Sequence, residues 1–159
     1  MDTSNPKYNI YLGGPIFNRS DDDCKNWRNT VKKELEDVAN CIDPMRRDYR
    51  GKTHLPGMDS EIVELDKEDI DGSDALLVYY DKPSVGTSME ILYAYDRMLK
   101  IVVVNASDQD YLSPWLTYHA SLIFDGLDEA IDFLKEDGLG FNWTKMEEVG
   151  VWSDDEGIE

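Results

Sequence analysis

Short apolar runs and longer amphipathic segments alternate along the chain. The apolar runs predict buried strands at residues 8–14, 40–43, 74–80, 101–105 and 121–124. The amphipathic segments predict helices at residues 21–38, 59–73, 87–100 and 127–137. Strands and helices therefore follow one another in a regular order from the first strand to the last helix.

This alternation predicts the fold class. Strands that consist of continuous apolar residues are typical of a parallel sheet covered by helices on both faces. Right-handed crossovers then give a single doubly wound α/β domain, flavodoxin-like or Rossmann-like, with a five-stranded parallel sheet in the order 2-1-3-4-5. We assign residues 1–146 to this domain and residues 147–159 to an acidic C-terminal tail.

The charge balance narrows the choice of partner. The 159 residues include 34 Asp and Glu against 16 Lys and Arg, a formal net charge of −18. Because this charge repels polyanions, we expect no nucleic-acid polymer as a partner, although a small anion can still bind to local backbone amides. The chain has no apolar run of membrane-spanning length and no signal-peptide pattern, so we expect a cytoplasmic protein that does not bind membranes.

The sequence offers little support for a metal or an organic cofactor. Cys24 and Cys41 lack the CxxC spacing of thiolate sites, and His54 and His119 form no HExxH-type pair. Neither GxGxxG nor GxxxxGK[ST] occurs, so no motif supports dinucleotide or triphosphate binding. We expect no metal and no cofactor.

The loops that follow the strands are the expected ligand site of such a fold. Three of them stand out, namely 13–19 ("GGPIFNR"), 81–88 ("DKPSVGTS") and 106–115 ("ASDQDYLSPW"). The first two contain glycines before a loop or helix, so their backbone N–H groups are free to face an anion or a sugar hydroxyl. Residues 45–58 form a further long polar loop, and loops of that length are often functional.

Asp66 is a carboxylate on an apolar helix face. Residues Ile62, Asp66, Ile70 and Ser73 recur at spacings of three or four, which places them on the stripe that should face the core. An inward carboxylate suggests a functional group. The alternative is that the predicted face is displaced by one position and that Asp66 only caps or pairs.

Glu90 also allows two interpretations. Thr87 and Glu90 have the spacing of a capping box, in which the glutamate reaches back to the N-cap amide. Alternatively, Glu90 lies in the first turn of a helix that starts where the third strand ends, and so points into the expected crevice. A carboxylate in that position can attack a carbon electrophile.

Four segments carry a resemblance to a known family. They are "IYLGGPIF" (10–17), "DPMRRDYRG" (43–51), "DKEDIDGSDALLV" (66–78) and "PSVGTSMEILYA" (83–94). In their order and spacing, over about residues 8–135, the chain resembles the nucleoside 2-deoxyribosyltransferases and the related 2′-deoxynucleoside 5′-monophosphate N-hydrolases. The resemblance implies that Glu90 is the nucleophile, that Asp66 assists catalysis, and that Tyr11 lies against the nucleophile and the sugar.

The resemblance also implies a set of substrate contacts and a retaining, cofactor-independent mechanism. The expected substrate-binding residues are Gly13, Gly14, Phe17, Asp48, Ser84, Gly86, Ser88 and Ser113. Ser113 would come from a neighbouring subunit, so we expect a homodimer or larger homo-oligomer with shared active sites. The expected substrate is a small-molecule nucleoside or nucleotide.

The choice between hydrolysis and base transfer stays open at this point. Ser84 matches the hydrolases, in which it helps to hold the 5′-phosphate, whereas Phe17 and the 46–51 loop match the transferases. The hydrolases carry an arginine at the position of Phe17, and Arg19, two residues on, is the candidate substitute. We favour hydrolysis slightly. A non-catalytic nucleotide-binding module and an NAD-cleaving domain of the Toll/interleukin-receptor type are the further alternatives.

Overall fold

The computed structural model describes residues 7–136 and has strands and helices in alternation. In chain order the elements are β1 (Tyr8–Gly13), α1 (Asp21–Glu34), β2 (Ala39–Ile42), a 3-10 turn (Pro44–Arg46), α2 (Met58–Asp71), β3 (Ala75–Tyr80), α3 (Val85–Asp96), β4 (Lys100–Asn105), α4 (Pro114–His119), β5 (Leu122–Phe124) and α5 (Leu127–Glu136). The predicted boundary at residue 146 and the acidic tail lie outside the described residues.

All five strands are parallel and form one sheet in the order β2-β1-β3-β4-β5. The predicted fold class and strand order are therefore confirmed. In the register, Tyr11 of β1 lies opposite Ile42 of β2 on one side and Leu76 of β3 on the other. Because β2, β1 and β3 are parallel neighbours, the loops that follow them leave the sheet at the same edge.

Two apolar cores cover the two faces of the sheet. Successive residues of a strand point to opposite faces, so Leu12 packs in one core, with α1 and α5, while Tyr11 packs in the other, with α2, α3 and α4. Ile70 of α2 is buried in the second core, which confirms the predicted inward stripe of that helix. The second core carries the candidate chemistry, because it contains Tyr11 and lies beneath the helices of Asp66 and Glu90.

The predicted cap of the third helix is wrong. Helix α3 begins at Val85, and its N-cap is Ser84, whose Oγ accepts a hydrogen bond from the Thr87 backbone N–H at 3.3 Å. Ser84 has an extended backbone and is as good a capping residue as threonine, so the helix starts immediately after it. Glu90 consequently lies in the second turn rather than the first, and its carboxylate is not used as a cap.

Other element ends also differ from the sequence prediction. Helix α1 ends at Glu34, and the backbone turns through Leu35–Val38 before β2. Helix α2 begins one residue early, after Gly57, whose φ of 79° favours glycine. The short helix α4 was not predicted. It starts with Ser113 as N-cap and Pro114 in its first turn.

None of the helices within residues 7–136 is long and apolar enough to cross a membrane.

Candidate active site

A cavity of about 410 Å³ opens where the loops after β1, β2 and β3 meet. Residues from each loop line it, including Gly14, Met45 and Ser84, and helices α2 and α3 supply Asp66 and Glu90. In a sheet of this strand order, the chain leaves β1 and β3 in opposite directions, and this switch point is where doubly wound proteins bind ligands. The cavity therefore has the expected position, and it brings Asp66 and Glu90 together.

Tyr11 holds the carboxylate of Glu90. The Tyr11 side chain is completely buried, and its Oη–H donates to Oε2 of Glu90 at 2.5 Å. Gly13 leaves room beside this pair, since an added Cβ would lie 3.8 Å from Oε1 of Glu90 and 3.8 Å from the tyrosine ring. One carboxylate oxygen is thus bound by the tyrosine, and the other lies beside a residue that has no side chain.

The surroundings of Glu90 shift its pKa into the neutral range. Burial raises the pKa of Glu90 from 4.5 to about 7, and the charge of Asp66 adds to this effect. The hydrogen bond from Tyr11 and the charge of Arg28 act in the opposite direction. Burial and the neighbouring Glu90 raise the pKa of Tyr11 far above its ordinary value, so the tyrosine stays a donor. The carboxylate is therefore balanced between its two protonation states near pH 7.

Asp66 faces the same cavity from α2. Burial raises the pKa of Asp66 above its ordinary value, although the nearby Arg47 partly offsets this. The Arg47 Nη2–H donates to Oδ1 of Asp66 at 3.5 Å, a contact at the limit of a hydrogen bond. Asp66 therefore lines the cavity as a partly buried carboxyl group with one weak cationic partner.

Arg28 is a site residue that the sequence interpretation missed. It is completely buried, and it donates to the carbonyl oxygens of Leu12, Gly14 and Cys24 at 3.3, 3.2 and 2.7 Å. These bonds tie the end of β1 to α1 beneath the cavity. The signal was available, because Cys24, Arg28, Val31 and Leu35 recur at spacings of four, three and four on an apolar stripe, the same pattern that identified Asp66.

Gly14 occupies a position with no space for a side chain. An added Cβ would lie 2.9 Å from the carbonyl oxygen of Tyr79 and 3.0 Å from Cζ2 of Trp27. Real Cβ atoms do not approach other heavy atoms so closely. The loop after β1 can therefore pass close to β3 only with glycine at this position.

The remaining predicted substrate residues lie in different places. Phe17, Asp48, Ser84 and Gly86 line the cavity, as does Gly14, and Gly13 lies next to Glu90. Ser88 does not line it, and its hydroxyl donates to the Ser84 carbonyl at 2.8 Å. Ser113 lies away from the cavity of its own chain, where its Oγ accepts from the Trp115 N–H at 3.2 Å. Their roles in substrate binding stay predictions.

The arginines around the cavity are paired with carboxylates. Arg19 forms an ion pair with Asp81, and Arg50 contacts Asp48 at 2.7 Å. The hydrogen bonds from Arg50 lower the pKa of Asp48 to about 2. Arg47 contacts Asp69 at 2.6 Å, and Arg46 contacts the same carboxylate at 2.7 Å. Each of these cations would have to share or leave a carboxylate in order to bind a substrate anion.

Comparisons with known proteins show the family and the fold of the chain. The profile of the Nucleoside 2-deoxyribosyltransferase family matches residues 10–158. A search of curated proteins found no match. Among solved structures, a conserved protein from Enterococcus faecalis V583 has a TM-score of 0.68 and 16% identity, covering 82% of this chain and 99% of that one.

Two further structures share the fold. A 2-deoxyribosyltransferase from Bacillus psychrosaccharolyticus has a TM-score of 0.63 and 16% identity, covering 78% of this chain and 90% of that one. A CMP N-glycosidase from Clostridium botulinum has a TM-score of 0.54 and 16% identity, covering 80% of this chain and 98% of that one. At this level of identity the likeness concerns the fold.

Proposed function

Because the chain belongs to the nucleoside 2-deoxyribosyltransferase family, we propose that it cleaves the N-glycosidic bond of a (2′-deoxy)nucleoside or nucleoside 5′-monophosphate. The reaction would pass through a covalent glycosyl ester of Glu90. The observation that carries the proposal is the carboxylate of Glu90 at the cavity, bound on one oxygen by Tyr11 and accompanied by Asp66. Most glycoside-cleaving enzymes use two carboxyl groups, one as nucleophile and one as acid, and Glu90 and Asp66 are our candidates for the pair.

In the first step, the ionised Glu90 attacks C1′ of the sugar. The bond between C1′ and the base nitrogen breaks, and its electron pair leaves with the base. Asp66, whose pKa is raised by burial, supplies the proton that makes the base a better leaving group. Tyr11 holds one oxygen of Glu90, so the other oxygen forms the ester.

In the second step, an acceptor opens the ester at C1′. If the acceptor is water, Asp66 takes back the proton and free sugar or sugar phosphate is released. If it is another base, Asp66 takes the proton from the attacking nitrogen of that base and a new nucleoside forms. Two displacements at C1′ give net retention in both cases. The chain's own carboxyl groups perform each step.

We favour hydrolysis over transfer. Ser84 lies at the cavity beside the N-terminus of α3, where a phosphate oxygen would meet a hydroxyl and free backbone N–H groups. The CMP N-glycosidase that shares the fold is named for cleavage of a nucleotide. The second candidate is base transfer, which is supported by Phe17 and Asp48 at the cavity and by the 2-deoxyribosyltransferase of the same fold.

The two candidates are separated by their need for an acceptor. The protein is incubated with a panel of nucleosides and 5′-monophosphates, with and without a second free base, and the products are separated by chromatography. Release of free base without an acceptor indicates hydrolysis, and exchange that needs an acceptor indicates transfer. Release of nicotinamide from NAD would instead support the NAD-cleaving alternative.

The role of Glu90 is tested by trapping the ester. A 2′-fluorinated substrate analogue should add the mass of the sugar to the protein, and Glu90→Gln should abolish both the adduct and base release. Glu64→Gln, an exposed glutamate on α2, is the matched control and should keep both. An active Glu90→Gln variant, or an adduct elsewhere, would contradict the mechanism.

We also propose that the protein is a homo-oligomer in which a neighbour completes the site. Helix α4 exposes Trp115 and Tyr118, at 74% and 70% of their full surface, directly after Ser113. In this proposal a second copy covers these rings, and Ser113, at the start of the same helix, enters the neighbouring chain's cavity. Light scattering after gel filtration should show a dimer or larger species, which Trp115→Glu should dissociate. A monomeric parent protein would refute the shared site.

A further inference from the structure

Two aspartates of α2 compete for one arginine. Nη2 of Arg47 donates to Oδ2 of Asp69 at 2.6 Å and to Oδ1 of Asp66 at 3.5 Å. The contact with Asp69 is short and charge-assisted, whereas the contact with Asp66 is at the limit of a hydrogen bond. The guanidinium therefore binds Asp69 more strongly than it binds Asp66.

Asp69 is an ionised carboxylate whose two oxygens both bind arginines. Its second oxygen, Oδ1, accepts from Arg46 Nη2 at 2.7 Å, so the two arginines bind its two oxygens. Burial alone would raise the pKa of Asp69, but the hydrogen bonds from Arg46 and Arg47 outweigh burial and lower it. Arg46 is also held by the Asp43 carbonyl at 3.0 Å. Asp69 thus stays ionised in the range in which the site would work.

We propose that Asp69 is a positioning residue that keeps the Arg47 guanidinium away from Asp66, so that Asp66 can carry the proton for the departing base. The inference rests on the proposed function, because it assigns Asp66 the role of acid. An acid must hold its proton until the bond to the base breaks, and a close guanidinium would stabilise the ionised form instead.

Arg47 has the means to move towards Asp66 if Asp69 releases it. Its Nε is buried and has no hydrogen-bond partner within residues 7–136. Once the bond from Nη2 to Asp69 is lost, the Nε–H could donate to Asp66 without giving up a hydrogen bond of its own. Neutralising Asp69 also lowers the pKa of Asp66 directly, because the negative charge of Asp69 raises that pKa.

Several charged or titratable groups besides Asp69 face Asp66. Arg46 and Arg47 come from the turn after β2, Glu90 comes from α3, and Tyr11 comes from β1. Of these, the arginines lower the pKa of Asp66. Glu90 is coupled to Asp66 by like charge and is unchanged in the variants below, so it does not distinguish them.

The first measurement is independent of activity. The pKa of Asp66 is followed by carboxyl-carbon NMR, with the signal assigned through Asp66→Asn. Asp69→Asn should lower this pKa by about one unit or more, a tenfold change in the protonation equilibrium. Arg47→Gln should raise it, and the double variant should return it to the parent value or above. Asp71→Asn, which releases Arg97 and Tyr93 outside the cavity, is the matched control and should leave it unchanged.

The second measurement uses base release on the substrate identified by the panel. For Asp69→Asn, the alkaline limb of the kcat profile should move down by about one pH unit, with an approximately tenfold loss at pH 7. Adding Arg47→Gln should restore the limb, which a purely structural role of Asp69 would not allow. Circular dichroism is the check that each variant is folded.

The outcomes separate this inference from the proposed function. A fall in the Asp66 pKa on Asp69→Asn that is larger with Arg47 present than in the Arg47→Gln background supports the inference even if no nucleoside is cleaved, and the proposed function alone then fails. An unchanged Asp66 pKa in Asp69→Asn overturns the inference even if the parent protein releases base. An equal fall in the Asp66 pKa in both backgrounds, or losses of kcat that simply add in the double variant, overturn it as well.

Discussion

Replacing Glu90 with glutamine should stabilise the protein above neutral pH. In the folded state, burial raises the pKa of Glu90 to about 7, compared with 4.5 in an exposed chain. Between these two values the folded state binds the proton more tightly than the unfolded state does. The free energy of unfolding therefore falls as the pH rises through this window, and it reaches its lower level once Glu90 is ionised in the folded protein.

The size of the effect follows from the pKa difference. One pKa unit corresponds to about 1.4 kcal/mol, so the full shift amounts to about 3 kcal/mol. Because one side of Glu90 faces the cavity, where water screens its charge, we expect about 2 kcal/mol at pH 8 and well under 1 kcal/mol at pH 5. Glutamine has the same shape, stays neutral, and still accepts the hydrogen bond from Tyr11.

Urea denaturation of both proteins at pH 5 and pH 8 measures this difference. Glu90→Gln should unfold at higher urea than the parent at pH 8 and at nearly the same concentration at pH 5, with unchanged slopes. The exposed Glu64→Gln should differ from the parent by no more than about 0.5 kcal/mol at either pH. Equal stabilities of Glu90→Gln and the parent at pH 8, or the same difference between them at both pH values, would refute the argument that burial raises the pKa of Glu90.

Two further predictions concern the residues around Glu90. Tyr11→Phe removes the hydrogen bond that favours ionised Glu90, so the acidic limb of the activity profile should move up by about 1–2 pH units. Tyr93→Phe, which loses only a bond to Asp71, is the control, and an unmoved limb in Tyr11→Phe would contradict the role of this bond. Gly14→Ala should cost about 1–3 kcal/mol of stability, because its Cβ would overlap Tyr79 and Trp27. Gly86→Ala, whose Cβ meets no described atom within 4 Å, should lose none, and equal costs in a thermal melt would count against the close approach at Gly14.

Periodicity explains why much of the fold could be predicted. The apolar run of β3 lies between Asp74 and Asp81, that of β4 lies between Lys100 and Asn105, and that of β1 ends at a glycine pair. The helices between them are long enough to show one inward face. The same reasoning placed Asp66 towards the cavity, since a polar residue on an otherwise apolar stripe is visible without a structure. Helix α4 was not predicted because six residues are too few to show a helical period, although Ser113 and Pro114 are a typical helix start.

The cap of α3 shows a limit of local patterns. Ser84 and Thr87 can both begin a helix, and nothing in the nearby residues decides between them. The structure selects Ser84 because Thr87 is buried against the core, where it lies inside the first turn. That choice releases Glu90 from a capping role and leaves its carboxylate for Tyr11.

The sequence by itself determined the order of the five strands and the four longer helices, and it singled out the two helix carboxylates. These features depend on neighbours a few residues apart, which a linear pattern contains. The strand order of the sheet followed from the general rules for crossovers in doubly wound folds. Only the tertiary structure decided which groups meet. Tyr11 and Glu90 lie 79 residues apart in the chain, and Arg47 and Asp69 lie 22 apart. Their pairing sets the burial and charge of the site, because pKa values depend on distances in space rather than along the chain.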